Sequence, residues 1–231
     1  VQKMRKIKIV KILWLISLLG VVMSGSNANE TDNRLQSVNF KNGKFVNLEI
    51  EYKMEFSKLP SMIWDAMFNK SKESVPMEPI PIVKQIREDL ETLEDNSVIR
   101  FGHSTLLFKL EGEFVLTDPV FADRASPFSF MGPKRFHENP ISIEELPNIK
   151  AVIISHTHYD HLDKVTIKKI HHKVERFYTV LGVGAILESF GVSREKIVEL
   201  DWWQSAEFGK IKFTATPAQH FSGRSLFDTD K

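Results

Sequence analysis

The sequence predicts an α/β domain on three observations. Short apolar runs of strand length alternate with segments of helical spacing from residue 98 onward, and an antiparallel meander opens that series. The third is the stretch Ala151 to Asp163, AVIISHTHYDHLD, in which four apolar residues run directly into a polar cluster containing His156, His158, Asp160 and His161. Such a run reads as a buried strand, so the cluster sits at a strand's carboxyl end, where open α/β sheets place their ligands.

Residues 1–28 stand apart from the rest. Lys3, Arg5, Lys6, Lys8 and Lys11 make a basic start, and Ile12 to Met23 is an apolar run broken only by Ser17 and Gly20. Ser26-Asn27-Ala28 then fits the small-x-small pattern of a cleavage site. The run is shorter than the ~18–20 residues a spanning helix needs, which favours a removed signal peptide over a retained anchor. An exported, periplasmic or cell-envelope protein is expected, with anchoring by an uncleaved segment as the alternative.

Residues 29–96 read as an extension or a linker. Gln36 to Lys53 alternates loosely, as a strand or a tail, and Met62, Ile63, Ala66 and Met67 have helical spacing. Pro76, Pro79 and Pro81 break any regular element, after which Ile82 to Leu93 reads as an amphipathic helix.

The main domain is expected over residues 97–231. Val98 to Phe101 and Leu106 to Leu110 are strands, and Glu111-Gly112-Glu113 leads tightly into Phe114 to Thr117. Thr117-Asp118-Pro119 leaves a carboxylate where that strand stops, either capping a turn or orienting a metal-binding histidine. Phe121 to Pro147 is a long, proline-rich loop whose aromatics either line a substrate entrance or anchor the loop in the core. Beyond the histidine cluster, Leu162 to Val174 has helical spacing and Phe177 to Val180 reads as a strand. Gly182 to Phe190 reads as a helix closed by Gly191, and Lys196 to Leu200 and Ile211 to Thr216 as two more strands.

Composition excludes several classes. Cysteine is absent, so disulfides, thiolate metal sites and cysteine nucleophiles are ruled out and any metal is held by nitrogen and oxygen. Removing residues 1–28 takes away five basic and no acidic residues, and the formal charge falls from +1 to −4. A mildly acidic chain without a basic run argues against nucleic acid as a partner.

His-x-His-x-Asp-His has a direct chemical meaning. Residues i and i+2 of an extended segment project to one side, so His156 and His158 converge on one ion. Asp160 and His161 follow where a helix should begin, free to turn toward a second ion. Imidazole and carboxylate suit zinc, and also iron or manganese, with zinc favoured for hydrolysis at neutral pH; one or two Zn2+ are expected. A site of this kind needs a third protein ligand. His220 is the best placed, because it follows the strand Ile211 to Thr216 through Pro217-Ala218-Gln219. His171 and His172 fall within a predicted helix as solvated surface, and His137 sits alone in the proline-rich loop. His103, in Gly102-His103-Ser104-Thr105, either approaches the site from behind the ligands or caps a turn.

These residues belong to a wider pattern. HTHYDHLD, the upstream FGHSTLLFKLEGEFVLTDPVF and FMGPKRF, and the downstream LDWWQS and PAQHFSGRSLFD resemble the metallo-β-lactamase superfamily. Within it, the resemblance is to the branch containing N-acylphosphatidylethanolamine phospholipase D and its bacterial relatives. It covers about Val98 to Lys231 and implies an αββα sandwich of two similar halves, of which this chain supplies the first half and the beginning of the second. It implies His156, His158 and His220 on one metal, Asp160 and His161 on the other, and Asp160 as the catalytic group that orients the attacking water. The family's bridging aspartate and last histidine lie further downstream, and neither Asp228 nor Asp230 matches them. The implied function is phospholipase D-type hydrolysis of a phosphodiester such as N-acylphosphatidylethanolamine by a metal-activated hydroxide. A small-molecule or phospholipid substrate and peripheral contact with a membrane go with that function, and ester, amide and lactone substrates share its chemistry. The alternative is a catalytically impaired member that binds one metal without turnover.

Overall fold

The computed structural model describes residues 33–49, 56–69, 71–225 and 228–230. The expected signal segment, residues 1–28, lies outside the described residues. A small hairpin of β1 (Phe40–Lys41) and β2 (Lys44–Phe45) comes first, followed by the helices α1 (Leu59–Phe68) and α2 (Arg87–Glu91). Next come the six strands of the central sheet: β3 (Ser97–Gly102), β4 (Thr105–Leu110), β5 (Glu113–Thr117), β6 (Ile149–Ile154), β7 (Val174–Val180) and β8 (Ile197–Leu200). They are neighbours in that order.

The first three strands pair antiparallel and β5 to β8 pair parallel. The meander turns tightly because Glu111 and Gly112 both take positive φ, 53° and 79°, as a two-residue hairpin loop requires. Parallel neighbours need crossovers instead. Two of these carry helices, α3 (Lys164–Ile170) between β6 and β7 and α4 (Gly184–Ser189) between β7 and β8.

Period-two alternation decides which face each strand residue joins. Leu107, Leu116, Val152, Ile154 and Phe177 are buried on one face under Ile167 and Ile170 of α3 and Leu187 of α4. Val115, Ala151 and Tyr178 turn to the other face. A second hairpin, β9 (Ser205–Phe208) and β10 (Ile211–Thr214), covers them, its Phe213 ring centroid 4.5 Å from that of Tyr178. Helices, sheet and the opening hairpin of a second β layer are thus the layers present among the described residues, in the order an αββα sandwich requires.

Several boundaries differ from the sequence-based expectation, each for a local reason. The helix expected over Ile82 to Leu93 shrinks to Arg87–Glu91, because Gln85 N donates to Pro140 O and the Asp89 carboxylate caps Ile86 N. The helix expected over Leu162 to Val174 starts only after Asp163, whose Oδ1 accepts from Val165 N, and it ends before Val174, which pairs with Ile149 as the first residue of β7. Strand β9 had no apolar run to announce it, since Ser205 and Glu207 alternate with Ala206 and Phe208.

Phe177 is fully buried where β7 meets the helices. Phe177→Ala is expected to lower unfolding free energy by about 3–5 kcal/mol in urea titration. Val165→Ala, on the exposed side of α3, should stay within about 0.5 kcal/mol.

Candidate metal centre

The functional side chains lie where strands end. After β6 the chain passes through Ser155 into His156, Thr157 and His158, and the loop closes on itself as His161 N and Leu162 N both donate to His158 O. After β10 the chain runs without regular structure to His220. There His156 Nε2 lies 3.0 Å from His158 Nδ1, and His220 Nε2 lies 3.2 Å from the same atom. The three imidazoles offer ligand atoms within 4.8 Å of one another. Tetrahedral zinc with nitrogen bonds of 2.0–2.1 Å needs nitrogens about 3.3 Å apart, so the donor set fits a zinc-sized cation with little movement.

A second group of three lies alongside. Asp160 Oδ2 is 3.2 Å from His103 Nε2 and 3.7 Å from His161 Nε2. The other side of the His161 ring faces the protein, where Nδ1 is 2.8 Å from Asp118 Oδ2. A proton held on Nδ1 by that carboxylate leaves the Nε2 lone pair pointing at Asp160, the arrangement found behind many metal-bound histidines. Asp118 also accepts from Ser155 N at 2.7 Å and Ser155 Oγ at 2.8 Å.

Electrostatics keep the first triad ready for a cation. Burial, with the neighbouring rings of His161, His158 and His220 adding to it, pushes His156 from its ordinary 6.5 down to about 4. Burial first and the nearby His220 second also lower His158. His161 moves the other way: burial lowers it, but the Asp118 hydrogen bond and the charges of Asp118 and Asp160 outweigh that and raise it.

Arg224 locks the two ligand-bearing loops together. Its Nη1 donates to Thr157 O and to Leu162 O, both at 2.7 Å, and its guanidinium carbon lies 4.0 Å from the Tyr159 ring centroid. Tyr159 OH donates back to Arg224 O at 3.0 Å, and Thr157 Oγ1 lies 2.6 Å from Ser222 Oγ. Asp228 and Asp230 are spent within this loop, accepting from Arg224 N and Ser222 N.

All seven residues singled out in the sequence therefore lie in one neighbourhood: His156, His158, Asp160, His161 and His220 in the two triads, with Asp118 directly behind His161. His103 stands closer than expected, in contact with Asp160 rather than behind the ligands. His137 bonds its own loop at Glu138 O, and His171 and His172 lie beyond α3. An apolar cavity of about 450 Å³ opens beside His156 and His220, walled by Phe45 and Val46 of the amino-terminal hairpin and by Val183, Leu200, Trp202 and Phe221.

The family model described as Beta-lactamase superfamily domain matches residues 113–231, from β5 through both triad loops. The chain belongs to the metallo-β-lactamase superfamily. Superfamily relatives include an uncharacterised protein of Mycobacterium tuberculosis, 40% identical over 221 residues that make up 92% of this chain and 58% of that protein. N-acyl-phosphatidylethanolamine-hydrolyzing phospholipase D 1 of Caenorhabditis elegans is 40% identical over 136 residues, 55% of this chain and 38% of the relative. The chain thus spans 58% of the length of the mycobacterial relative and 38% of that of the phospholipase D. Among solved structures, a diiron β-hydroxylase from Streptomyces venezuelae aligns at a TM-score of 0.41 and 27% identity, over 55% of this chain and 24% of that one.

Replacing Asp118 with Asn is expected to weaken divalent-metal binding about 10–100-fold by competition with a chromophoric chelator, because His161 loses its orienting carboxylate. In the metal-free protein, NMR should find the His156 ring titrating at about 4. Between 6.5 and that value the unfolded chain takes up a proton that the folded site refuses, so His156 removes stability as pH falls. His161 has the opposite sign, its contribution complete below the unfolded value and lost as pH rises through its raised folded value.

Proposed function

We propose that this superfamily member is a zinc-dependent hydrolase of phosphodiesters of the N-acylphosphatidylethanolamine class. The observation that carries the proposal is the pair of triads, His156/His158/His220 and His103/Asp160/His161, built side by side around the loop that follows β6. Zinc bound there would supply an activated water and draw charge from the phosphoryl oxygens.

The chain's own residues divide the remaining work. His156, His158 and His220 would hold one ion through their ring nitrogens, and Asp118 keeps the His161 lone pair facing outward. Asp160, with 44% of its side chain exposed, can orient a water and take its proton. The apolar cavity beside His156 and His220 suits an acyl chain and excludes bulk water from that flank. The similarity to the Caenorhabditis elegans phospholipase D supports the choice of substrate class.

Export to the cell envelope and peripheral contact with a membrane belong to the same proposal. The basic and apolar residues 1–28 support the first, and the exposed Phe130, Met131 and Phe136 of the long loop support the second. No helix among the described residues is long and apolar enough to cross a membrane. A second reading, one metal held without turnover, draws on the exposure of His103, 61% of its side chain, in the second triad.

Elemental analysis for zinc, combined with hydrolysis of N-acylphosphatidylethanolamine and of bis(p-nitrophenyl) phosphate, separates the two readings. Turnover that falls about 100-fold or more in Asp160→Ala and in His220→Ala is the expected result. A single zinc per chain with no hydrolysis of either compound would establish the second reading instead.

A further inference from the structure

On the flank of the centre opposite the apolar cavity lies a second one, of about 480 Å³, between the end of β3 and the loop that follows β5. His103 and Asp160 form its inner wall, and the lining carries an excess of positive charge: Arg100 from β3, and Lys134 and Arg135 from the loop, against the two carboxylates of Asp123 and Asp160. Among the described residues, none of these three cations lies within ion-pair distance of a carboxylate. Arg100 Nε donates to His103 O at 3.3 Å, and Arg135 Nη2 donates to Val120 O at 2.6 Å. The Arg135 Nε is sealed from solvent without an acceptor.

The fold makes room for this arrangement. Gly102 takes φ of +152°, which disfavours any other residue, and a Cβ there would lie 2.6 Å from Arg135 Nη1 and 3.1 Å from His137 Cε1, so a side chain at this point would push the guanidinium aside. The loop is folded back on itself to deliver the charges. Arg124 bridges Lys134, Ala125 N donates to Pro133 O, and Arg135 N donates to Asp123 O. Asp123 and Asp163 offset part of the charge at Arg135, but three cations gathered around one cavity outnumber the carboxylates that line it, and a multivalent oxyanion offers the further acceptors they lack.

We propose that this cavity is an anion subsite, in which Arg100, Lys134 and Arg135 bind the phosphate group of a substrate or product beside the metal centre. That the anion is part of a substrate rests on the hydrolase reading above; the binding itself does not. Lys contributes a point charge and the two guanidiniums planar donors, a combination suited to a tetrahedral phosphate monoester or diester.

Chelator-treated protein removes phosphate binding to zinc from the measurement. Inorganic phosphate and dihexanoylphosphatidic acid are titrated calorimetrically at constant ionic strength into the wild type, R100Q/K134Q, Lys134→Glu and His220→Ala. Saturable binding of phosphate by the metal-free wild type, weakened about tenfold or more in R100Q/K134Q and in Lys134→Glu but retained in His220→Ala, is the expected outcome. Tighter binding of the lipid than of inorganic phosphate supports a lipid source for the anion, and equal affinity supports free phosphate. The exposed position of Lys134 keeps its variant informative even if the double variant fails to fold. Unchanged affinity in folded Lys134→Glu, or no saturable binding by the wild type, overturns the proposal. Absence of turnover alongside intact binding would overturn only the hydrolase reading.

Discussion

The Asp118 carboxylate is the constraint that joins fold to site. It is 5% exposed, and a buried carboxylate without partners would cost several kcal/mol. Its oxygens are met by Ser155 N, Ser155 Oγ and His161 Nδ1. Two of those partners belong to the first residue after β6, so the register of β5 against β6 and the orientation of a functional imidazole are set by one group. Asp118 N continues the ladder by donating to Ile153 O, with the residue itself at φ 35°. Moving β5 by one residue would send the carboxylate to the opposite face and expose the apolar positions that alternate with it.

The first triad has the opposite character, being arranged against local preference. His156, His158 and His220 face one another with ring nitrogens 3.0 to 3.2 Å apart. Burial and mutual repulsion disfavour the protonated forms of His156 and His158, so the lone pairs crowd together without enough protons to bridge them. Left to itself such a cluster would open, because His220 hangs on a segment without regular structure. Arg224 prevents this through Thr157 O and Leu162 O, tying the His220 loop to both ends of the histidine motif. The frustration is local and the restraint comes from outside it, the pattern expected where a site is shaped for a ligand.

What was legible in the sequence follows the range of the interactions. Strand β6 and the cluster after it were readable because four apolar residues run straight into the ligands, and β3 to β5 because alternation and a Glu-Gly turn are local signals. Helix ends were not, since Asp163 and Asp89 set them through caps and Pro140 through a contact distant in sequence. The role of Arg224 could not be read either, because its acceptors lie 62 and 67 residues away. Local sequence leaves His103 either approaching the site or capping a turn, and its contact with Asp160 depends on the left-handed φ of 36° that the structure gives it. Strand β9 escaped because only every second residue of it meets the Tyr178 face.

The two cavities beside the centre follow from the same topology. Parallel strands β6 to β8 end together, and their terminal residues Val180 and Leu200 leave an apolar ledge that the β1–β2 hairpin roofs with Phe45 and Val46. On the other side β3 is antiparallel and ends at Gly102, where no side chain fills the space, so the long loop can bring Lys134 and Arg135 inward. A loop of that length without regular structure is hard to justify on stability alone, because its ordering entropy is offset by few buried apolar groups. Phe121 and Ile141 anchor its two ends in the core, while Phe130 and Met131 at its tip stay exposed. The middle of the loop is ordered chiefly by polar contacts, Ala125 N to Pro133 O, Arg135 N to Asp123 O and Arg124 Nη1 to Gly132 O, and these hold Lys134 and Arg135 at the charged flank.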